Sequence, residues 1–122
     1  MLQTDKYISK PSSFILKSDH QLIKFDYDDI VYLKADGNYS IIYLKDHTKH
    51  IIYQSLKDFE KDLPENIFFR CHRSYIINVI LISAFCIQKN RIFCLDYDIE
   101  ILCSRRSKKE LIERFKEINS ST

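Results

Sequence analysis

The chain has 122 residues, of which 45% are hydrophobic and 13% aromatic, enough for one domain with an apolar core. It contains one Gly and two Pro, a composition that excludes a collagen-like chain and argues against intrinsic disorder. The net charge of +2 indicates no partner by itself, but residues 70–109 carry eight Lys or Arg and three acids, a net +5 against −3 elsewhere. Such a polarised molecule could present one basic face to a polyanion.

The four cysteines, Cys71, Cys86, Cys94 and Cys103, are widely spaced and mostly have apolar neighbours. The N-terminal residues lack the apolar core of an export signal, so we expect reduced thiols in a cytoplasmic protein. No CxxC pair occurs, and we therefore expect neither a structural zinc site nor another cofactor. The longest apolar run, Tyr75–Ala84, is too short to cross a bilayer, so no membrane partner is expected.

The N-terminal half predicts a short arm followed by a series of strands. Residues 1–12 are interpreted as an arm or linker remnant, residues 13–118 as the folded domain, and residues 119–122 as a C-terminal tail. Asp46 and His47 mark a hairpin-like connection between the last two strands of this half. The predicted strands are rich in β-forming residues and bounded by Asp or Ser. They are Phe14–Lys17, Gln21–Phe25, Ile30–Lys34, Tyr39–Leu44 and Lys49–Tyr53.

A short internal helix is predicted after these strands. Ser55 is suited to an N-cap, and Pro64 would end the helix. Leu56, Phe59 and Leu63 lie between them at helical spacing, so we expect them to form its buried face.

The C-terminal half continues with short strands and ends in a second helix. Ser107 and Glu110 match the capping-box pattern S-x-x-E, which predicts that this helix starts at Ser107. The absence of strict strand–helix alternation favours a mainly β domain of small antiparallel sheets, with about eight to ten strands in all. The strand segments are Phe68–Arg70, a run near Ile76–Ile87, Arg91–Leu95 and Ile99–Cys103. The apolar face of the second helix comprises Leu111, Ile112, Phe115 and Ile118.

The segment Phe68–Asn78 combines hydrogen-bond donors with two apolar β-type runs. Arg70, His72 and Arg73 can donate to phosphates or base edges, while the flanking Phe and Ile residues anchor the segment in a core. Donors held on a rigid β framework suit nucleic-acid binding better than free basic tails do.

Four segments, in order along the chain, resemble the LytTR family of DNA-binding domains, the output domains of bacterial response regulators. The resemblance extends over about Phe14–Phe115, most of the chain. The segments are Asp29–Ser40 (DIVYLKADGNYS), Ser55–Glu60 (SLKDFE), Phe69–Asn78 (FRCHRSYIIN) and Ser104–Leu111 (SRRSKKEL).

The resemblance implies an elongated, mainly β fold of about three small antiparallel sheets, in which loops rather than a recognition helix enter the DNA major groove. It also implies a bacterial transcription regulator of a two-component system, usually joined to a phosphoacceptor receiver domain. This chain has no room for a receiver, so it is interpreted as a stand-alone regulator or a piece of a longer protein.

The first candidate DNA contact is the loop that begins at Gly37. This residue is the only glycine in the chain, so we expect a positive φ there. Asn38, Tyr39 and Ser40 follow and are predicted to contact DNA. The alternative is an ordinary turn with Tyr39 packed inward.

The second candidate site is His72 and Arg73. The resemblance matches Arg73 with a base-contacting position, and an arginine can bridge guanine N7 and O6. His72 either contacts DNA or braces the fold, and Arg70 could instead pair with an acid in the sheet. A Cys71–His72 catalytic dyad is disfavoured because neighbouring strand residues point to opposite faces, and no other enzyme motif occurs, so no enzyme is expected.

The third candidate site is a basic run at the predicted start of the second helix. Such a run is unfavourable for the helix dipole, whereas a bound phosphate would be favoured by the same exposed N–H groups. Arg105 is assigned to a base edge, and Arg106 and Lys108 are assigned to phosphates. The alternative is a solvated surface that also includes Lys109.

Together these features predict a sequence-specific, double-stranded DNA-binding domain that regulates transcription. A second copy on repeated half-sites is expected because one small module buries limited surface, and DNA bending is compatible with an elongated binder. The alternatives are a protein-interaction module that binds a receiver or kinase domain, and an RNA-binding module that uses exposed Tyr and Phe. A location of Arg73 and Arg105 on opposite faces would favour the protein-interaction hypothesis.

Overall fold

The computed structural model describes residues 12–94 and 100–120, and these form three antiparallel sheets and two α-helices. The predicted fold class is therefore confirmed, whereas the predicted N-terminal arm lies outside the described residues apart from its last position. Two 3-10 turns, Tyr27–Asp29 and Val79–Leu81, connect strands. The elements are β1 (Ser13–Ser18), β2 (Gln21–Asp26), β3 (Ile30–Asp36), β4 (Tyr39–Leu44), β5 (Lys49–Ile52), α1 (Leu56–Asp62), β6 (Phe68–His72), β7 (Tyr75–Asn78), β8 (Ile82–Cys86), β9 (Arg91–Cys94), β10 (Glu100–Leu102) and α2 (Arg105–Ser120).

A five-stranded sheet in the order β5-β4-β3-β7-β6 separates two apolar clusters. Leu33, Ile42 and Ile76 are register partners on one face and pack with residues of β2 and α1. Tyr32 and Ile77 are partners on the other face and pack with β9, β10 and α2. Because successive strand residues alternate between faces, a strand buried on both sides is a continuous apolar run, as the start of β3 is.

Helix α1 confirms the prediction made from its cap and spacing. The N–H of Asp58 donates to Ser55 Oγ at 3.2 Å, so Ser55 satisfies one of the unpaired donors of the first turn. Leu56, Phe59 and Leu63 are all buried.

The predicted start of the second helix at Ser107 is wrong, because α2 begins at Arg105. The N–H of Ser107 donates to Ser104 Oγ at 3.2 Å, so Ser104 is the capping residue. The backbone N–H of Ser104 in turn donates to the Cys71 carbonyl at 2.7 Å, which anchors the helix start to β6. Arg105 and Arg106 therefore lie in the first turn of α2. Neither α1 nor α2 is long and apolar enough to cross a membrane.

The apolar run near Ile76–Ile87 is divided by Asn78 rather than forming one strand. Asn78 is buried, and its side-chain amide donates to the carbonyls of Ile30 at 2.9 Å and Tyr27 at 3.4 Å. Its Oδ1 accepts from the N–H of Ile80 at 3.0 Å, which caps the 3-10 turn. A single polar side chain thus directs the chain from the five-stranded sheet into β8 of the three-stranded sheet.

Candidate nucleic-acid interface

The second and third predicted sites come together in space. The hydrogen bond from Ser104 to Cys71 holds the first turn of α2 against the end of β6, directly before the β6–β7 turn that carries Arg73. Arg73 and Arg106 consequently line one open groove of about 930 Å³. Two basic segments that are far apart in sequence therefore form a continuous surface.

The first predicted loop lies at the same end of the five-stranded sheet. Lys34 of β3 is the register partner of Tyr75 at the start of β7, and the N–H of Ala35 donates to the Ser74 carbonyl at 2.9 Å. The β3–β4 loop at Gly37 follows only a few residues later. All three predicted sites thus occupy one end of this sheet.

The exposed arginines of this surface have no internal partners. Arg73, Arg105 and Arg106 are exposed, and within residues 12–94 and 100–120 their side chains make no hydrogen bond or ion pair. Arg114, which also lines the groove, lies 5.3 Å from the Phe69 ring centroid and donates to backbone carbonyls. Unpaired exposed cations are free to bind an external anion, whereas Arg114 serves the fold.

The three predicted basic residues of α2, Arg105, Arg106 and Lys108, differ in their exposure and in their position relative to the groove. Arg106 lines the groove with Arg73, while Arg105 is exposed outside the groove lining. Lys108 is half-buried, and its positive charge lies near enough to Cys103 to oppose the rise that burial causes in the pKa of that thiol. The groove therefore places Arg106, rather than Arg105, beside Arg73.

Arg70 is not a free cation, because each of its three guanidinium nitrogens donates within the domain. Nε donates to the His72 carbonyl at 2.9 Å, and Nη2 donates to the Arg73 carbonyl at 2.7 Å. Nη1 lies 2.9 Å from Glu60 Oε1. The alternative of an acidic partner for Arg70 is correct, but the acid lies on α1 rather than in the sheet. No sequence spacing identifies Glu60, because the contact is tertiary.

His72 braces the turn through its ring. Its Nδ1 accepts a hydrogen bond from the N–H of Ser74 at 3.0 Å. Burial lowers the pKa of His72, and the positive charges of Arg73 and Arg70 lower it further. A neutral imidazole has one unprotonated nitrogen, so the low pKa and the acceptor role of Nδ1 agree.

The β3–β4 loop confirms one expectation and argues against another. Gly37 has φ +63°, the left-handed conformation expected for the only glycine. Asn38 is exposed and available for a contact. Ser40 is fully buried, and its hydroxyl donates to the Gln54 carbonyl at 2.6 Å. The side chain of Ser40 therefore offers no surface to DNA, contrary to the expectation that it contacts DNA.

Tyr39 does not pack inward, since its side chain is 47% exposed. Its ring lies 5.1 Å, centroid to centroid, from the ring of Tyr53, which is 73% exposed. The two rings form an aromatic surface beside the loop. Sequence analysis missed Tyr53, although its cross-strand alignment with Tyr39 follows from the β4–β5 register.

The cysteines are all free thiols. Burial raises the pKa of Cys71 and that of Cys94, so neither thiol is readily ionised. Cys71 Sγ faces the carbonyls of Tyr75 and Leu102, which gives the disfavoured Cys71–His72 dyad no support. Among the described residues, no group of His, Cys, Asp and Glu could hold a metal ion.

Comparisons with known proteins agree with this geometry. The chain is 30% identical over 98 residues to the transcriptional regulatory protein YpdB of Escherichia coli (strain K12), an alignment that covers 78% of the chain and 40% of YpdB. It is 27% identical over 100 residues to the transcriptional regulatory protein NatR of Bacillus subtilis (strain 168), covering 77% of the chain and 42% of NatR. The chain thus spans about two fifths of the length of these curated relatives.

A solved structure shares the fold and a family model covers most of the sequence. The structure, a LytTr DNA-binding domain from Bacillus cereus, has a TM-score of 0.66 and 24% identity, with 89% of this chain and 97% of that chain covered. The family model described as the LytTr DNA-binding domain matches residues 20–116. The chain therefore belongs to the family of LytTr DNA-binding domains.

Proposed function

We propose that this domain binds double-stranded DNA sequence-specifically, through loops in the major groove, and regulates transcription. The observation that carries the proposal is the convergence of the β3–β4 loop, the β6–β7 turn and the first turn of α2 at one end of the five-stranded sheet. Phosphate contacts would supply much of the affinity, and side chains on rigid turns would contact bases.

Each segment has a proposed role. Arg73 and Arg105 are proposed to contact base edges, where an arginine can bridge guanine N7 and O6. Arg106 and Lys108 are proposed to contact phosphates, aided by the exposed N–H groups at the start of α2. His72 is proposed to support the turn rather than to act alone as a contact, since its Nδ1 is already bonded.

The β3–β4 loop is proposed to provide the remaining contacts. Asn38 is exposed and can donate to and accept from a base edge or phosphate. Tyr39 and Tyr53 present an aromatic surface next to it, suited to packing against a sugar or a thymine methyl group.

The domain is further proposed to act as part of a larger assembly. Two copies on repeated half-sites are favoured because one small module buries limited DNA surface, and bending would bring more of that surface into contact. A receiver domain in the same protein would account for the greater length of the curated relatives. We further propose residues 13–118 as the functional unit, a cytoplasmic site of action and no enzymatic role.

Selection of bound fragments from random duplex DNA, followed by titration of the selected duplex, tests the function. We expect one enriched sequence pattern and a log affinity that falls against log salt with a slope of roughly −4 to −5, for about four to six phosphate contacts. No enrichment together with a flat salt response would contradict DNA binding.

One observation favours a second candidate, a protein-interaction module. Ile51 of β5 is 55% exposed, Tyr53 directly after β5 is 73% exposed, and Ile41 is the register partner of Ile51. A receiver or kinase domain could bury this apolar face. Ile51→Ser would weaken such an association while leaving a selected duplex bound nearly as tightly, because Ile51 has no proposed DNA contact, and this separates the two candidates.

A further inference from the structure

The two peptide groups on either side of Arg73 are both held by side chains of the same hairpin. The carbonyl before it, of His72, accepts from Arg70 Nε, and its own carbonyl accepts from Arg70 Nη2. The N–H after it, of Ser74, donates to His72 Nδ1. These bonds lie in a two-residue turn at the exposed end of β6 and β7.

This arrangement fixes the backbone dihedrals of Arg73. The angle φ is set by the orientation of the preceding peptide plane and ψ by that of the following one, and both planes are bonded. In a turn without these bonds, the carbonyls would bond to water and the peptide planes would rotate. Ordering the Arg73 side chain on a partner would then cost conformational entropy. The direction in which the Arg73 side chain leaves the turn is therefore established before any partner arrives.

The guanidinium that performs this task is itself oriented by α1. Arg70 Nη1 is bonded to Glu60 Oε1 at 2.9 Å, and Glu60 lies on a helix whose residues Leu56 and Phe59 are buried in the core. The Arg70 guanidinium therefore connects the turn to the core, and because the guanidinium is planar its N–H donors point in fixed directions. Lysine has a single nitrogen on a flexible stem and cannot reproduce this geometry.

We propose that Arg70, held by Glu60, is a positioning residue for the Arg73 base contact and determines sequence preference without touching DNA. Its three guanidinium nitrogens are already used inside the domain, and the carboxylate of Glu60 offsets its charge. A guanidinium has five N–H donors, so a phosphate could use only the remaining two, and the negative carboxylate of Glu60 beside them opposes such a contact. The inference rests on the proposed DNA-binding function.

The test compares Arg70→Lys with a matched control in the full chain. Arg91→Lys is the control, since Arg91 also bonds a carbonyl, that of Lys89 at 3.0 Å, and a carboxylate, that of Glu100 at 3.4 Å, but lies in the three-stranded sheet. Each variant is titrated against the selected duplex and its single-position variants at several salt concentrations, and its thermal unfolding is recorded.

Arg73→Ala defines the base position that the turn reads, with an expected loss of discrimination of about 5- to 150-fold there. Arg70→Lys should reduce discrimination at that same position by at least about threefold and leave the salt slope unchanged. In the Arg73→Ala background it should cause no further loss of discrimination. The control should preserve the full preference.

The outcomes separate this inference from the proposed function. If Arg73→Ala relaxes one position and Arg70→Lys preserves it, the positioning role is overturned while DNA binding stands. Arg70→Ala is titrated in the same way; if it lowers the salt slope by about one, Arg70 contacts a phosphate and the inference is also overturned. If no duplex is bound specifically by the unmodified chain, the proposed function fails first. Should Arg70→Lys not fold, Glu60→Gln replaces it, and an unchanged preference in that variant overturns the inference.

Discussion

The backbone N–H of Ser104 donates to the carbonyl of Cys71 at 2.7 Å, and this bond joins the start of α2 to the strand that carries the central signature. Ser104 simultaneously caps α2 through its hydroxyl. One residue therefore fixes both the position and the first turn of the helix, and it brings Arg106 to the groove that Arg73 lines.

The cap can be tested by serine substitutions. Ser104→Ala should lower the free energy of unfolding by about 1 kcal/mol, because the N–H of Ser107 loses its side-chain acceptor and keeps only the Ser104 carbonyl at 3.2 Å. Ser107→Ala should cost less, since its hydroxyl accepts from the Ser104 hydroxyl at 2.9 Å and donates to the Arg70 carbonyl at 3.4 Å, and neither bond satisfies a backbone N–H of the first turn. Urea denaturation of the two variants measures the difference, and a larger effect at Ser107 would restore the capping box inferred from sequence.

Arg73 and Arg106 should affect DNA binding in different ways. Arg73→Ala should cost roughly 1–3 kcal/mol with the preferred duplex and relax preference at one base position. Arg106→Ala should weaken all duplexes about equally and reduce the salt slope by about one. Both side chains are exposed and unpaired within the described residues, so thermal unfolding should change little. Competition against single-position site variants distinguishes the roles, and a fully retained preference in Arg73→Ala would exclude it as a base contact.

Two substitutions in the β3–β4 region should have separate effects, one on DNA affinity and the other on the free energy of unfolding. Asn38→Ala should reduce affinity without changing unfolding, because Asn38 is exposed. Ser40→Ala should lower the free energy of unfolding by about 1–2 kcal/mol, because it leaves the Gln54 carbonyl without its donor, and should leave the affinity of the folded protein unchanged. Parallel binding and denaturation curves provide the measurement. An affinity loss confined to Ser40→Ala would mean that Ser40 becomes exposed on binding.

The turn should weaken at acidic pH through His72. Its folded pKa is lowered below the ordinary value of about 6.5, chiefly by burial and then by Arg73 and Arg70. The unfolded chain therefore binds the proton more readily. The contribution of His72 to stability is complete above about pH 6.5 and is lost as the pH falls through the lowered pKa. Protonation also removes the acceptor for the N–H of Ser74.

His72→Asn provides the matched control, because the Asn amide oxygen can accept from Ser74 and does not titrate. This substitution leaves the charged residues that line the same groove unchanged: Glu60, Glu65, Arg70, Arg73, Arg106, Glu110 and Arg114. The free energy of unfolding is measured for the unmodified chain and for His72→Asn between about pH 5 and 7. The difference between the two should show that the unmodified chain loses more stability as the pH falls. Parallel profiles would contradict the role assigned to Nδ1.

Local chemistry in the sequence was enough to predict much of this domain. The cap at Ser55, the positive φ at Gly37 and the continuous apolar run of β3 each depend on a residue and its immediate neighbours, so composition and spacing reveal them. The exposed cation Arg73 was likewise identifiable, because its place between two apolar runs indicates a turn.

The tertiary structure decided which polar groups are free to bind and which are used internally. Arg70 and Arg73 are both arginines of the same hairpin, but only Arg70 forms an ion pair with Glu60, because α1 packs beside β6. Ser40 was indistinguishable from Asn38 until the Gln54 carbonyl was placed opposite it. Ser104 rather than Ser107 caps α2, because the Cys71 carbonyl accepts a hydrogen bond from the backbone N–H of Ser104 and fixes its position. Each outcome depends on a hydrogen bond between two segments that the fold brings together. The distance between those segments in space cannot be predicted from the number of residues between them.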